Sequence, residues 1–249
     1  MSGHSKWHSI KHKKAAADAK RGKIFTSLIK EITVAARIGG GDPDGNPRLR
    51  TAVLAAKAVN MPSENIKRAI QKGTGELPGQ SYEDATYEGY GPGGVAMLVE
   101  AVTDNKNRTV SEVRHIFAKH SGNLGENGCV AWMFHKKGYI VVEKTKSDED
   151  TLLNIVLDAG ADDMKEGEGT FEIFTAPESY EAVAEALKKR GIEISSSEIA
   201  MVPQSYTKLE GRLAQQMIKL MEALEEHEDI QKVHANFEIA DAELEAAVS

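Results

Sequence analysis

Three histidines, His4, His8 and His12, recur every four residues near the start of this 249-residue chain. That spacing would align their imidazoles on one face of a helix. Histidines four apart can chelate zinc, but no carboxylate or cysteine is placed to complete the coordination. They read better as imidazoles spread among lysines on a solvated basic arm. Trp7 stands among Lys6, His8, Lys11, His12, Lys13 and Lys14, and Lys20, Arg21 and Lys23 follow. Cations that neutralise phosphate, beside a ring that stacks on bases, suit single-stranded or looped nucleic acid. The alternative for Trp7 is an anchor that pins the arm to the body, and the sequence leaves both open.

Other candidate chemistry is thin. Gly89-Tyr90-Gly91-Pro92-Gly93-Gly94 superficially resembles a phosphate loop. It lacks the Lys-Ser/Thr ending and joins two strands instead of opening a helix, so it reads as a hairpin turn. No nucleophile elbow or HExxH is present. Asp162-Asp163 and Glu225-Glu226 read as solvated faces of helices and loops, Cys129 as a buried small thiol, and Trp132 and Phe134 as core residues of a strand. Neither an enzyme, a bound cofactor or metal, nor a small-molecule substrate is expected. A second basic group, Arg108, His115 and Lys119, shares a helical face, and His135-Lys136-Lys137 follow the next strand. These either extend a polyanion surface or are ordinary solubilising charge.

The charge distribution supports the first partner class. Residues 1–75 carry 15 Lys+Arg against 5 Asp+Glu, a net of +10, whereas the other 174 residues carry 16 against 33, a net of −17. Such a split points to a basic face for a polyanion on a body kept soluble by acids. The 41% hydrophobic content is that of a soluble globular protein. No apolar run approaches the ~18 residues of a membrane helix, and the basic start lacks the apolar run of a secretory signal. Cys129 is the only cysteine, which excludes an internal disulfide and multi-cysteine metal sites. A cytoplasmic, reduced setting is expected.

The elements that must position these residues follow from periodicity. Ile24, Leu28, Ile32 and Ala35 mark a helix from about Ala15 to Ile38, ended by Gly39-Gly40-Gly41. Asn46 fits an N-cap with Pro47 at the first helical position, and a short third helix after Pro62 stops at Gly73. Beyond a linker at 73–81, strands at 85–90 and 95–103 flank the glycine turn. A helix around Val110–Phe117 follows, then strands at 130–134 and 139–143, a helix around Leu152–Val156 and a strand at 170–174. A helix over 180–189, a strand near 198–202, a helix striped by Leu209, Leu213, Met217, Leu220 and Leu224, and a strand at 233–239 close the chain. Paired strands with intervening helices give a multidomain α and α+β fold: an N-terminal three-helix module plus two ferredoxin-like α+β domains, one inserted in the other. The expected boundaries are 1–75 for the basic arm and helical domain, 81–135 with 205–240 for one α+β domain, and 136–204 for the inserted one.

The segments GHSKWHSIKHKKAAADAKRGKIFTSLIKEI, GGGDPDGNPRLRTAVLAAKAVNMPSENIKRAIQKG and YEGYGPGGVAMLVEAVTDNKNRTVSEVRHIFAKHSGNLG resemble the YebC/PmpR family, which includes a mitochondrial translational activator of cytochrome oxidase subunit I. The resemblance covers nearly the whole chain. It implies a helical bundle followed by two α+β domains, one interrupting the other. It also implies a cytoplasmic, non-enzymatic role in gene expression as a DNA-binding transcriptional regulator. Other work on the family places members on ribosomes, relieving stalled translation, so the alternative is a factor bound to ribosomal or messenger RNA. Against sequence-specific DNA readout, no helix-turn-helix signature or Arg/Asn-rich recognition helix is evident.

Overall fold

The computed structural model describes residues 17–167 and 169–240, with side chains from residue 22 onward. By backbone contact the described chain divides into two units, one over 17–129 and 211–233, the other over 130–210 and 234–240. No helix among the described residues is long and apolar enough to cross a membrane.

The first unit opens with three helices, α1 (Ala17–Gly39), α2 (Pro47–Ala58) and α3 (Ser63–Thr74). Asn46 sets the first corner. Its side-chain oxygen accepts the Leu49 N–H at 3.1 Å, and its amide donates to the carbonyls of Ala35 and Gly40 at 2.8 and 2.9 Å. One side chain thus caps α2, with Pro47 in the first turn, and ties down the end of α1. Ile32, Leu49, Ala56 and Ile66 meet in the core of this bundle. Helix α3 crosses α1 so closely that a Cβ on Gly73 would lie 2.4 Å from the Thr33 carbonyl oxygen.

The same unit continues with the hairpin β1 (Glu83–Tyr90) and β2 (Ala96–Thr103), α4 (Lys106–Lys119) and the short β3 (Asn123–Leu124). The hairpin is paired without interruption from Glu83↔Thr103 to Tyr90↔Ala96. Its glycine-rich turn is therefore structural: Gly93 and Gly94 take positive φ of 74° and 77°, and a Cβ on Gly91 would strike Met217 and Met97. The chain returns much later as α7 (Gly211–Glu225) and β9 (Ile230–Ala235), completing a sheet of order β3-β1-β2-β9. Val95, Met97, Val99, Val113, Phe117, Met217, Leu220 and Leu224 are all fully buried.

The second unit is βαββαβ: β4 (Phe134–Glu143), α5 (Glu149–Asp158), β5 (Ala161–Glu166), β6 (Thr170–Thr175), α6 (Tyr180–Lys189) and β7 (Ser196–Pro203). Its antiparallel sheet has the order β5-β6-β4-β7, which is the ferredoxin-like connection. Ile140, Val142, Leu152, Ile173, Val183 and Leu187 form the core under the two helices. A short parallel pair, β8 (Thr207–Leu209) with β10 (Phe237–Ile239), belongs to this unit as well.

Three local readings change. The segment 130–134 is not a strand: Ala131–Met133 form a 3-10 turn that leads into one continuous strand, β4. The turn buries Val130 and Phe134 but rotates Trp132 outward, leaving it 66% exposed, so Trp132 is not a core residue. Asp162 and Asp163 lie on the edge strand β5. Leu213 is exposed, whereas Met217, Leu220 and Leu224 of the same stripe are buried.

Candidate functional site

Basic residues are the candidate chemistry, and the structure divides them by what opposes them. Lys6, Trp7, His8, Lys11, His12, Lys13 and Lys14 lie outside the described residues, as does His4. Lys20 and Arg21 fall in the N-terminal part of α1, and their side chains are likewise outside the description. Lys23, half-buried on the same helix, donates to the carbonyl oxygen of Glu225 at the end of α7. A lysine there satisfies an orphan carbonyl and complements the helix dipole.

Arg108 is committed elsewhere in the fold. Its guanidinium donates to Asp229 at 2.7 Å and to Asp104 at 2.9 Å. Asp229, buried in the turn between α7 and β9, also receives the Lys30 ammonium at 2.7 Å and the Thr109 and Thr103 hydroxyls at 2.7 and 3.2 Å. Burial alone would push the Asp229 carboxyl up. The hydrogen bonds from Lys30, Arg108 and Thr109 outweigh it and hold the group well below the usual carboxylate range. Arg108 is in turn held above its ordinary value, chiefly by its bond to Asp229. One carboxylate thus joins α1, β2 and α4. Nothing in the local sequence marks Asp229, because its partners come from positions 30, 103, 108 and 109.

Arg48 behaves similarly. Its guanidinium forks onto Glu31 (2.7 and 2.9 Å) and Asp84 (both 2.9 Å), linking α2 to α1 and β1. The hydrogen bonds from Arg48 hold the Asp84 carboxyl below its usual value.

The remaining cations of the helical domain are different. Arg50 and Lys57 on α2, and Lys67 and Lys72 on α3, are exposed and carry no ion pair among the described residues. Lys119, at the end of α4, is also exposed and without an ion pair among those residues. The four helical-domain residues were not singled out by motif. Their signal is positional: Lys67 and Lys72 are exposed on α3, whereas Ile66 and Ala69 of the same helix face the core.

A cleft of about 970 Å³ in the first unit is lined by Lys30, Tyr82, Arg108, His115, His227 and Asp229, among others. Glu112, His227 and Asp229 bring three donor atoms within 4.8 Å of one another. They do not suit a cation. Both oxygens of Asp229 are taken by Lys30 and Arg108. His227 accepts the Asp229 N–H at 3.1 Å through Nδ1 and meets Glu112 at 2.8 Å through Nε2. A metal would have to displace two positive side chains and a satisfied imidazole. Burial pushes the Cys129 thiol up, away from the thiolate a nucleophile needs.

Comparison with known proteins decides the family. A model of the TACO1/YebC N-terminal domain matches residues 5–76, and one of the TACO1/YebC second and third domains matches residues 82–237. The chain belongs to the TACO1/YebC family. A relative from Desulfosudis oleivorans is 61% identical over 246 residues, covering 99% of this chain and all of its own. One from Acidobacterium capsulatum is 63% identical over 244 residues, covering 98% of each. Both relatives are named "Probable transcriptional regulatory protein". The crystal structure of a conserved hypothetical protein from Aquifex aeolicus is similar with a TM-score of 0.79 and 53% identity, over 93% of this chain and 96% of that one. The family's fold, an N-terminal domain followed by two α+β domains, is the fold described above.

Proposed function

We propose that this chain is a non-enzymatic, cytoplasmic regulator of gene expression that binds DNA through its N-terminal arm and helical domain. The observation that carries the reading is the contrast between committed and uncommitted cations. Arg48 and Arg108 are consumed by carboxylates, whereas Arg50, Lys57, Lys67 and Lys72 face solvent without one among the described residues. Together with the +10 of residues 1–75, they supply point charges for phosphate at positions that carry no base-reading side-chain pattern. The names of the relatives support the regulatory role.

Binding of this kind releases counterions. The affinity for a duplex falls with salt at a log–log slope of about −0.9 per neutralised phosphate, so four contacts give roughly −3.6. Titrating the native chain onto a labelled duplex at rising salt measures that slope, and a slope near zero would end the proposal. Footprinting against an unrelated duplex then separates positioning from sequence readout.

The Trp7-bearing arm favours a second reading, a translation factor bound to RNA on the ribosome. Gradient sedimentation at low salt distinguishes the two, because only the second places the chain in ribosomal fractions.

A further inference from the structure

The inserted domain presents one end that resembles nothing else on the acidic body. Trp132 is 66% exposed on the 3-10 turn before β4, and Tyr206 is 37% exposed just after β7. The fold brings the two segments together. Phe134 pairs with Pro203 in the β4–β7 ladder, and the Gln204 N–H donates to the Met133 carbonyl at 2.9 Å. Both rings are therefore held at the same end of one strand pair. An indole two-thirds in water forgoes much of the burial that normally stabilises it, which marks an interaction surface.

The charge at this end is equally distinctive. The two segments that form it, 127–142 and 199–209, contain no Asp or Glu, although residues 76–249 as a whole net −17. They supply His135, Lys136, Lys137 and Lys208, the last paired with Glu210 at 2.8 Å. Lys136 is exposed and without an ion pair among the described residues. His135 and Lys137 line a cleft of about 270 Å³ beside Phe174 and Tyr206, with the Lys165 ammonium 5.3 Å from the Phe174 ring centre. Asp163, on the edge strand β5, lines the same cleft, and its neighbour Asp162 meets Lys137 at 3.5 Å. Acids there steer a phosphate backbone toward the Lys136 side.

We propose that this end of the inserted sheet binds single-stranded nucleic acid, with Trp132 and Tyr206 stacking unpaired bases and Lys136 meeting a phosphate. Exposed rings beside cations are the means by which proteins hold unstacked strands, and a duplex, whose bases are already stacked, offers those rings nothing. The inference rests on the nucleic-acid reading above but assigns a separate surface and a different form of the polymer.

The test uses the full chain, fluorescently labelled twelve-residue oligo(dT) and oligo(U), and a twelve-base-pair duplex. Trp132→Ala and Tyr206→Ala each weaken binding of the single strands by about tenfold. Trp132→Phe keeps most of the affinity, and all three variants bind the duplex as the native chain does. In a Trp7→Phe chain, where Trp132 is the remaining tryptophan, its emission is quenched as oligo(dT) binds. A preference for oligo(U) over oligo(dT) would identify RNA as the source, and the reverse DNA. Unchanged single-strand affinity in Trp132→Ala, with duplex binding intact, overturns this surface alone. A native chain that binds neither polymer overturns the functional reading as well. Loss of self-association in Trp132→Ala, without loss of oligonucleotide binding, overturns the surface in favour of a second copy of the chain.

Discussion

Lys30 and Lys67 are the same residue type in the same helical domain, yet they do opposite work. Lys30 is buried, with 8% of its side chain exposed, and its ammonium is locked to Asp229, whose side chain is 4% exposed. Lys67 faces solvent with no ion pair among the described residues. The difference shows that the basic character of residues 1–75 is two populations of charge. One, Lys30 with Arg48, fastens helices to the first sheet, and Arg108 from α4 joins Lys30 on Asp229. The other is exposed and carries no ion pair among the described residues. The two populations separate experimentally: on the proposed function, changing the first alters stability and changing the second alters binding.

The sharpest way to break that division is Asp229→Ala. It leaves Lys30 buried without its counter-charge, and removing one partner of a buried pair costs about 3–5 kcal/mol. Urea unfolding should show that loss, while duplex affinity measured on the folded fraction stays within about twofold of the native chain. The pH dependence has a definite sign. Because the native carboxyl is held below its unfolded value of ~3.9, its stabilisation is complete above that pH and is lost as pH falls further. The stability gap between native chain and Asp229→Asn therefore narrows below about pH 4, and a gap that stays constant would contradict the ion-pair account.

The mirror-image experiment comes next in size. Reversing Lys11, Lys13 and Lys14 to Glu should weaken nucleic-acid binding about tenfold or more at low salt and flatten the salt slope, whatever the duplex sequence. The thermal midpoint should not move. Unchanged affinity would remove the arm from the account.

Arg48→Lys gives the smallest effect. The lysine keeps the charge but loses the two-pronged grip on Glu31 and Asp84. Arg48 is 39% exposed at its side chain, so solvent screens the pair and the expected destabilisation is about 1 kcal/mol or less. A loss as large as that of Asp229→Ala would mean the two clusters are not different in kind.

Much of this was legible in the sequence, for local reasons. The Asn46-Pro47 start of α2, the hairpin across Gly91–Gly94 and the bounds of α6 all follow from capping, turn chemistry and periodicity. Misreadings arose where short-range patterns are ambiguous. In CVAWMF an alternating apolar run suggests a strand, but a 3-10 turn buries Val130 and Phe134 while turning Trp132 out. Strand β5 (ADDMKE) was invisible because it is an acidic edge strand, paired on one side only. The largest omission was Asp229. Its significance depends on four residues between 120 and 199 positions away brought to one carboxylate, and no periodicity records that. For the same reason Arg108 was grouped with His115 and Lys119 as surface charge, although its guanidinium is held by Asp229 and Asp104.

The central claim is that the uncommitted cations of the helical domain, and not the fastened ones, engage nucleic acid. Duplex binding by Lys57→Glu/Lys67→Glu/Lys72→Glu, measured by anisotropy at low salt beside the native chain and Asp229→Asn, tests it most directly. The account predicts at least a tenfold loss of affinity in the triple variant with its thermal midpoint unchanged, and near-native affinity in folded Asp229→Asn. Native affinity in the triple variant, or a loss confined to Asp229→Asn, would contradict it.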